Sequence, residues 1–326
     1  MSIRLFATLL ALLCGTSVAI AQAPGETGYA QVIEQAATLL QERYVHPQRG
    51  RNLAAALRRD ARQGRWPDHM EPADFAKAVT HRMRELSGDG HLALDYSEAA
   101  LADEDVQAGG DFTAAEMERW YGPRVNHGFE SVERLDNGIG YLDLRVFAPT
   151  QMAADMAEGA MTLLAQSPAL IIDLRHNGGG FEDMVALLAG YLLDGPQSLS
   201  GTYHRPTDRL TPLNSPSEVS GRRFGGDRPL YILTSPKTFS AAEHFAYDLQ
   251  ALERAVIVGE PSGGGAHPFE YRRVSNHFVL GLPESRSVNP VTGTDWEGRG
   301  VQPDVSVPAE RALEVALELA VTTIAD

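Results

Sequence analysis

Two residue types are almost missing from this chain, and each scarcity removes a class of chemistry. Cys14 is the only cysteine, and it lies in a stretch that reads as a removable N-terminal signal. Disulfides and thiol nucleophiles are therefore excluded from the mature chain. Lysine occurs only at Lys77 and Lys237, so few positions can supply a lysine base. Positive charge is scarce overall: 43 Asp and Glu face 28 Lys and Arg, a net charge of −15. Such an acidic surface argues against nucleic-acid and anionic-membrane partners. No stretch reaches about 18 uninterrupted apolar residues, so no membrane span is expected. No HExxH or paired-histidine spacing marks a metal site, and no cofactor motif such as GxGxxG or a phosphate loop occurs, so neither metal nor cofactor is expected.

Residues 1–21 have a signal's layout: Arg4, an apolar run from Leu5 to Leu13, and Ala19-Ile20-Ala21 as a small-x-small cleavage site before Gln22. An exported protein, periplasmic or secreted, is expected. The remaining length suits two domains at about 150 residues each. Apolar residues recur at helical spacing between Tyr29 and Ser87, with Pro47, Pro67 and Pro72 as breaks. Residues 22–90 are accordingly expected to form a small helical domain. From about residue 130 strands and helices alternate, which argues for an α/β domain over 91–326 with a largely parallel sheet.

Three stretches of that second part carry candidate chemistry. Ala169 to Leu174 is a continuous apolar run, typical of a strand buried on both faces, and it leads into Arg175-His176-Asn177-Gly178-Gly179-Gly180. A glycine loop between strand and helix exposes backbone N–H groups to an anion. Pro229 to Leu252 places Ser240 where a strand turns into a helix, a position suited to a nucleophile and equally to a capping box with Glu243. Ser87-Gly88-Asp89-Gly90-His91 sets a histidine after a tight glycine turn, at the mouth of a strand where it should be accessible. The stretch from His204 to Arg228 reads as surface loop, and Ser262 to Gly265 as a mobile one ending at His267.

Together, DLRHNGGG (173–180), LTSPKTFSAAE (233–243), VIVGEPSGGGAHP (256–268) and WEGRGVQPD (296–304) resemble the tail-specific, or C-terminal processing, family of serine peptidases. The SGDGHL and WEG segments look most like the branch containing the interphotoreceptor retinoid-binding protein modules and the tricorn protease core. The resemblance implies a catalytic α/β domain of Clp protease and crotonase type, a peptide or protein substrate, and Ser240 as nucleophile. It also implies an oxyanion hole from the amides of Gly179 and Ala241. Many members use a lysine base, but Gly265 stands at that position here, so a histidine must serve. His91 is expected as that base, titrating near neutrality and oriented by Glu297, with His267 as the alternative. The tricorn pattern has a serine before the histidine; this chain has Gly90. A PDZ domain does not fit in the 48 residues between His91 and Gly140. The alternative function is a catalytically inactive binding protein, holding an apolar ligand between the two domains. A more remote reading is a crotonase-like acyl-thioester enzyme. Oligomeric state is not readable from the sequence.

Overall fold

A computed structural model of the chain describes residues 28–101 and 114–325. The expected signal at 1–21 lies outside the described residues. Among them, no helix is long and apolar enough to cross a membrane.

The main sheet follows from the apolar runs. Its strands are β2 (Phe129–Arg134), β3 (Gly140–Leu144), β4 (Leu170–Asp173), β7 (Leu230–Thr234), β8 (Val256–Gly259) and β12 (Val305–Ser306). They lie in the order β12-β8-β7-β4-β3-β2, all parallel except β2, which pairs antiparallel with β3 as a hairpin. Alternation along each strand sorts side chains to two faces. Leu170, Ile172, Leu230 and Ile232 join the core under helices α5 (Thr150–Leu164), α6 (Glu182–Leu192) and α7 (Ala241–Ala251). Ile171, Tyr231, Leu233 and Val258 face the terminal helix α8 (Ala312–Ala325), which approaches through Ala312, Ala316 and Ala320. Both faces are covered, so the strands are apolar throughout. Burying each large side chain contributes about 1.5–3 kcal/mol.

The N-terminal part is helical where the spacing requires it: α1 (Tyr29–Arg43), α2 (Pro47–Arg62) and α3 (Pro72–Ser87). Pro stands at the start of α2 and α3, and Gly88 ends α3 in the left-handed conformation. Residues 22–90 alone do not close this core. Strand β1 (Ala93–Tyr96) pairs with β10 (Phe278–Pro283), which pairs with β9 (Phe269–Arg273). Leu94, Val274, Phe278, Leu280 and Leu282 pack among Val32, Leu40, Phe75 and Met83 of the helices. The chain thus returns some 180 residues later to complete the helical part. Buried Glu284 accepts hydrogen bonds there from Arg43 of α1 and Arg272 of β9, joining both ends of that return.

The stretch after His204 is not all loop. β6 (Arg209–Asn214) folds back on β5 (Ser198–His204), with β11 (Ser285–Val288) on its other side. Between His91 and Gly140 the described residues hold β1, α4 (Ala114–Tyr121) and β2.

Candidate active site

Parallel neighbours β4 and β7 end on the same edge of the sheet, so the loops that follow them emerge side by side. Side chains stitch those loops together. Ser235 Oγ donates to the Arg175 carbonyl (2.6 Å), Thr238 Oγ1 to the Leu174 carbonyl (2.8 Å), and the Phe239 N–H to the Asn177 carbonyl (3.0 Å). Ser240 is thereby held against the glycine loop: a Cβ placed on Gly179, at φ +112°, would stand 2.8 Å from Ser240 Cβ. Only glycine allows that approach.

Ser240 itself adopts φ +54° and ψ −119° immediately before α7. For a non-glycine residue this backbone costs about 1–3 kcal/mol, and it persists only when the surroundings over-determine it. Here Glu243 does much of that. Its fully buried carboxylate accepts from the Ser240 N–H (2.8 Å), Ser262 Oγ (2.5 Å), and the amides of Gly264 (2.6 Å) and Gly265 (2.8 Å). The Ser262 to Gly265 loop, expected to be mobile, is therefore pinned to the helix that Ser240 begins.

A cleft of about 210 Å³ opens beside Ser240, lined also by Gly180, Phe181, Ala241, His244 and Trp296. The amide of Ala241, at the first position of α7, has no acceptor among the described residues. Gly179 does not offer the second free donor. Its N–H is taken by Asn177 Oδ1 (2.9 Å), whose amide nitrogen is anchored on the Leu144 carbonyl. The next amide, that of exposed Gly180, has no acceptor among the described residues.

His91 is not accessible as expected; it is 7% exposed. Its ring lies against Phe239 (centroids 4.7 Å apart) and Phe269 (5.7 Å), and its Nδ1 is buried without a hydrogen-bond partner. Burial pushes the imidazole down to about 4, outweighing the attraction of Asp89, so it does not titrate near neutrality. A Cβ on Gly265 would overlap the Phe239 ring and stand 2.7 Å from His91 Cε1.

His267 cannot swing toward Ser240, because it is fully buried in a polar array. Nδ1 donates to Asp89 Oδ2 (2.8 Å), and Nε2 lies 3.2 Å from His46 Nε2. Asp89 also accepts from Tyr44 (2.8 Å) and from the His91 backbone N–H (2.9 Å). Glu297 turns to this array and not to His91: Oε1 is 3.4 Å from His267 Nδ1, and Oε2 accepts from the Ala266 amide (2.7 Å). Burial, then the Asp89 charge, push Glu297 up to about 7. Asp89, His267 and Glu297 bring three ligand-type atoms within 4.8 Å of one another, as do His204, Glu270 and Glu284. In the second group Arg43 and Arg272 already occupy the Glu284 carboxylate.

Residues 138–307 match the description Peptidase family S41, and residues 26–119 match the N-terminal domain of peptidase S41 in eukaryotic IRBP. The chain belongs to peptidase family S41. It is 28% identical over 182 residues to the tricorn protease of Thermoplasma volcanium, covering 54% of this chain and 16% of the relative. It is likewise 28% identical over 175 residues to a chloroplastic C-terminal processing peptidase of Tetradesmus obliquus, covering 53% and 36%. The chain thus spans well under two thirds of either relative's length. A solved structure from Parabacteroides merdae shares the fold at TM-score 0.62 and 18% identity, over 92% of this chain and 97% of that one. Within this S41 chain, the serine's loop and the glycine loop emerge from one sheet edge, and the His91 turn meets the serine's loop at Phe239. Sequence reading passed over Asp89, which joins the His91 turn to His267. It also passed over His244, although its spacing of four from Ser240 and from Asp248 was visible.

Proposed function

We propose that the chain is an exported serine peptidase with Ser240 as nucleophile and His91 as general base. The observation that carries the reading is Ser240: a strained, half-buried serine at a helix N-terminus, facing a cleft with the unbonded amides of Ala241 and Gly180. In the reaction, Ser240 Oγ attacks the peptide carbonyl carbon while His91 takes the hydroxyl proton. The carbonyl oxygen becomes an oxyanion that accepts from Ala241 and Gly180, and losing one such donor costs about 10²–10³-fold in turnover. The C–N bond then breaks, His91 returns the proton to the leaving amine, and water hydrolyses the acyl-enzyme by the same steps. What supports His91 over His267 is volume. His91 and Phe239 fill the space above Gly265, where many members carry the lysine, whereas His267 is spent on Asp89. No hydrogen bond joins His91 to Ser240, and catalytic hydrogen bonds of this kind commonly tighten only with substrate bound. Asp89 and Glu297 act at one remove, Asp89 by fixing the His91 turn and Glu297 by fixing Ala266.

The binding-protein alternative requires an apolar cavity between the helical and α/β parts. Around Asp89 that junction is filled by Tyr44, His46 and His267, and the place left for such a ligand is a cleft of about 670 Å³ between α3 and β1, lined by Ala76, Leu94 and Tyr96. Export is supported by the signal pattern of residues 1–21, and processing after Ala21 would leave Gln22 as the first residue of the secreted chain, readable by intact mass. The test of the activity is digestion of an unfolded protein by the purified chain, read by mass spectrometry. Cleavage that disappears in Ser240→Ala supports the reading; cleavage that persists in a folded Ser240→Ala overturns it.

A further inference from the structure

The Ser240 cleft is lined by His244, one member of an ionisable pair that the mechanism leaves unused. His244 follows Ser240 by one helical turn on α7, so the two share a helix face, and both line the cleft. Asp248 is a turn further on and 1% exposed. Its carboxylate accepts from the Ser200 N–H (2.9 Å), the Ser200 hydroxyl (2.5 Å) and the Asn289 amide (2.8 Å). His244 Nε2 lies 3.1 Å from Asp248 Oδ2, sealed from solvent. The imidazole also packs on Trp296, with centroids 5.5 Å apart. Burial opposes charge on His244, but Asp248 outweighs it and holds the ring above its ordinary value. Nε2 is buried against Asp248 without an aligned hydrogen bond, so Nδ1 is the nitrogen left for a ligand in the cleft.

We propose that this cleft takes the substrate side chain on the acyl side of the scissile bond, and that His244 selects a carboxamide there, so that the enzyme cuts after Gln or Asn. The inference rests on the peptidase reading above. An apolar side chain would leave Nδ1 desolvated and unpaired, a cost that lets hydrogen-bonding sites reject such analogues strongly. A carboxylate would meet Glu182, which also lines the cleft, with Asp248 behind the single imidazole. A cationic side chain, though drawn by Glu182, would meet the ring that Asp248 holds toward its charged form. A carboxamide carries both an acceptor and donors, so it pairs with Nδ1 whichever protonation state the ring has. Its remaining groups can reach the Ser287 hydroxyl or Glu182 at the same cleft.

The test is a pair of fluorogenic peptides that differ only in Gln or Met before the scissile bond, side chains of similar length. Wild-type kcat/KM should favour Gln by roughly 10²-fold, and His244→Leu should reverse the preference. Because His244→Leu strips a partner from buried Asp248, inhibition by two peptide aldehydes ending in Gln or Met is measured on the wild type as well. There too the Gln compound should bind more tightly. Equal or better use of Met by the wild type overturns the proposal while leaving the peptidase reading intact, as do digests whose cuts ignore Gln and Asn. Failure to cut either peptide or any unfolded protein overturns both.

Discussion

His91 and His267 are both buried and both touch the Asp89 segment, yet their surroundings are opposite. Around His267 every polar atom but one is answered: Asp89, Tyr44 and His46 form a closed set, with Glu297 Oε1 the single atom left over. Around His91 the neighbours are the rings of Phe239 and Phe269, and Nδ1 has no partner. A saturated histidine braces three segments of the fold. In the proposed mechanism the unsatisfied one is the base, open to a proton that arrives only with the reaction. Burial alone would not tell them apart; the inventory of partners does.

The largest effect that could break this contrast is on rate. His91→Ala should lower kcat/KM about 10²–10⁴-fold, the usual contribution of a general base, while the urea midpoint stays near or above the wild-type value. A variant whose urea midpoint falls while its kcat/KM stays at the wild-type value would reverse the assignment. His267→Ala should act on stability, by about 3–5 kcal/mol, because it leaves the Asp89 carboxylate buried and stripped of its main partner. Equilibrium urea unfolding measures it, and a loss under about 1 kcal/mol, small for a broken buried network, would contradict the bracing role.

The two environments also titrate in opposite senses. His91 is depressed from 6.5 to about 4, so between those values the unfolded chain binds the extra proton. Its contribution to stability is complete above about 6.5 and is lost as pH falls toward about 4. Glu297 is raised from 4.5 to about 7, so its contribution is complete below about 4.5 and is lost as pH rises through about 7. The two slopes oppose each other in the wild type. Glu297→Gln should leave the His91 slope alone, gaining stability relative to wild type as pH rises through 7; parallel curves would contradict the account. The acid limb of kcat/KM should likewise fall near pH 4. The smallest effect is steric. Gly265→Ala should cost about 1–3 kcal/mol, as overpacking does, and should slow turnover because the new methyl displaces Phe239 and His91.

Much of this was legible in local patterns. The apolar runs of β4 and β7 and the turn residues after them announce two neighbouring loops, and Ser240 stands where one meets a helix. What was not legible is long-range. Asp89 and His267 are 178 residues apart, and nothing in either segment indicates that they meet. The expected partnership of Glu297 with His91 gave way to Glu297 with His267, because the return of β9 and β10 to the helical part draws His267 between them. The proposal takes Gly180 and not the expected Gly179 as oxyanion donor for a local reason: Asn177, two residues before Gly179, claims its amide. The pair His244 and Asp248 was visible in spacing, but the helical periodicity of α7 accounts for neighbouring residues without it.

The central claim is an activated Ser240, and labelling with a fluorophosphonate near neutral pH tests it most directly. Located by peptide mass mapping, the adduct should fall on Ser240, form much more slowly in His91→Ala and be absent in Ser240→Ala. A folded wild-type chain that takes up no label, or one labelled equally fast without His91, would contradict the account.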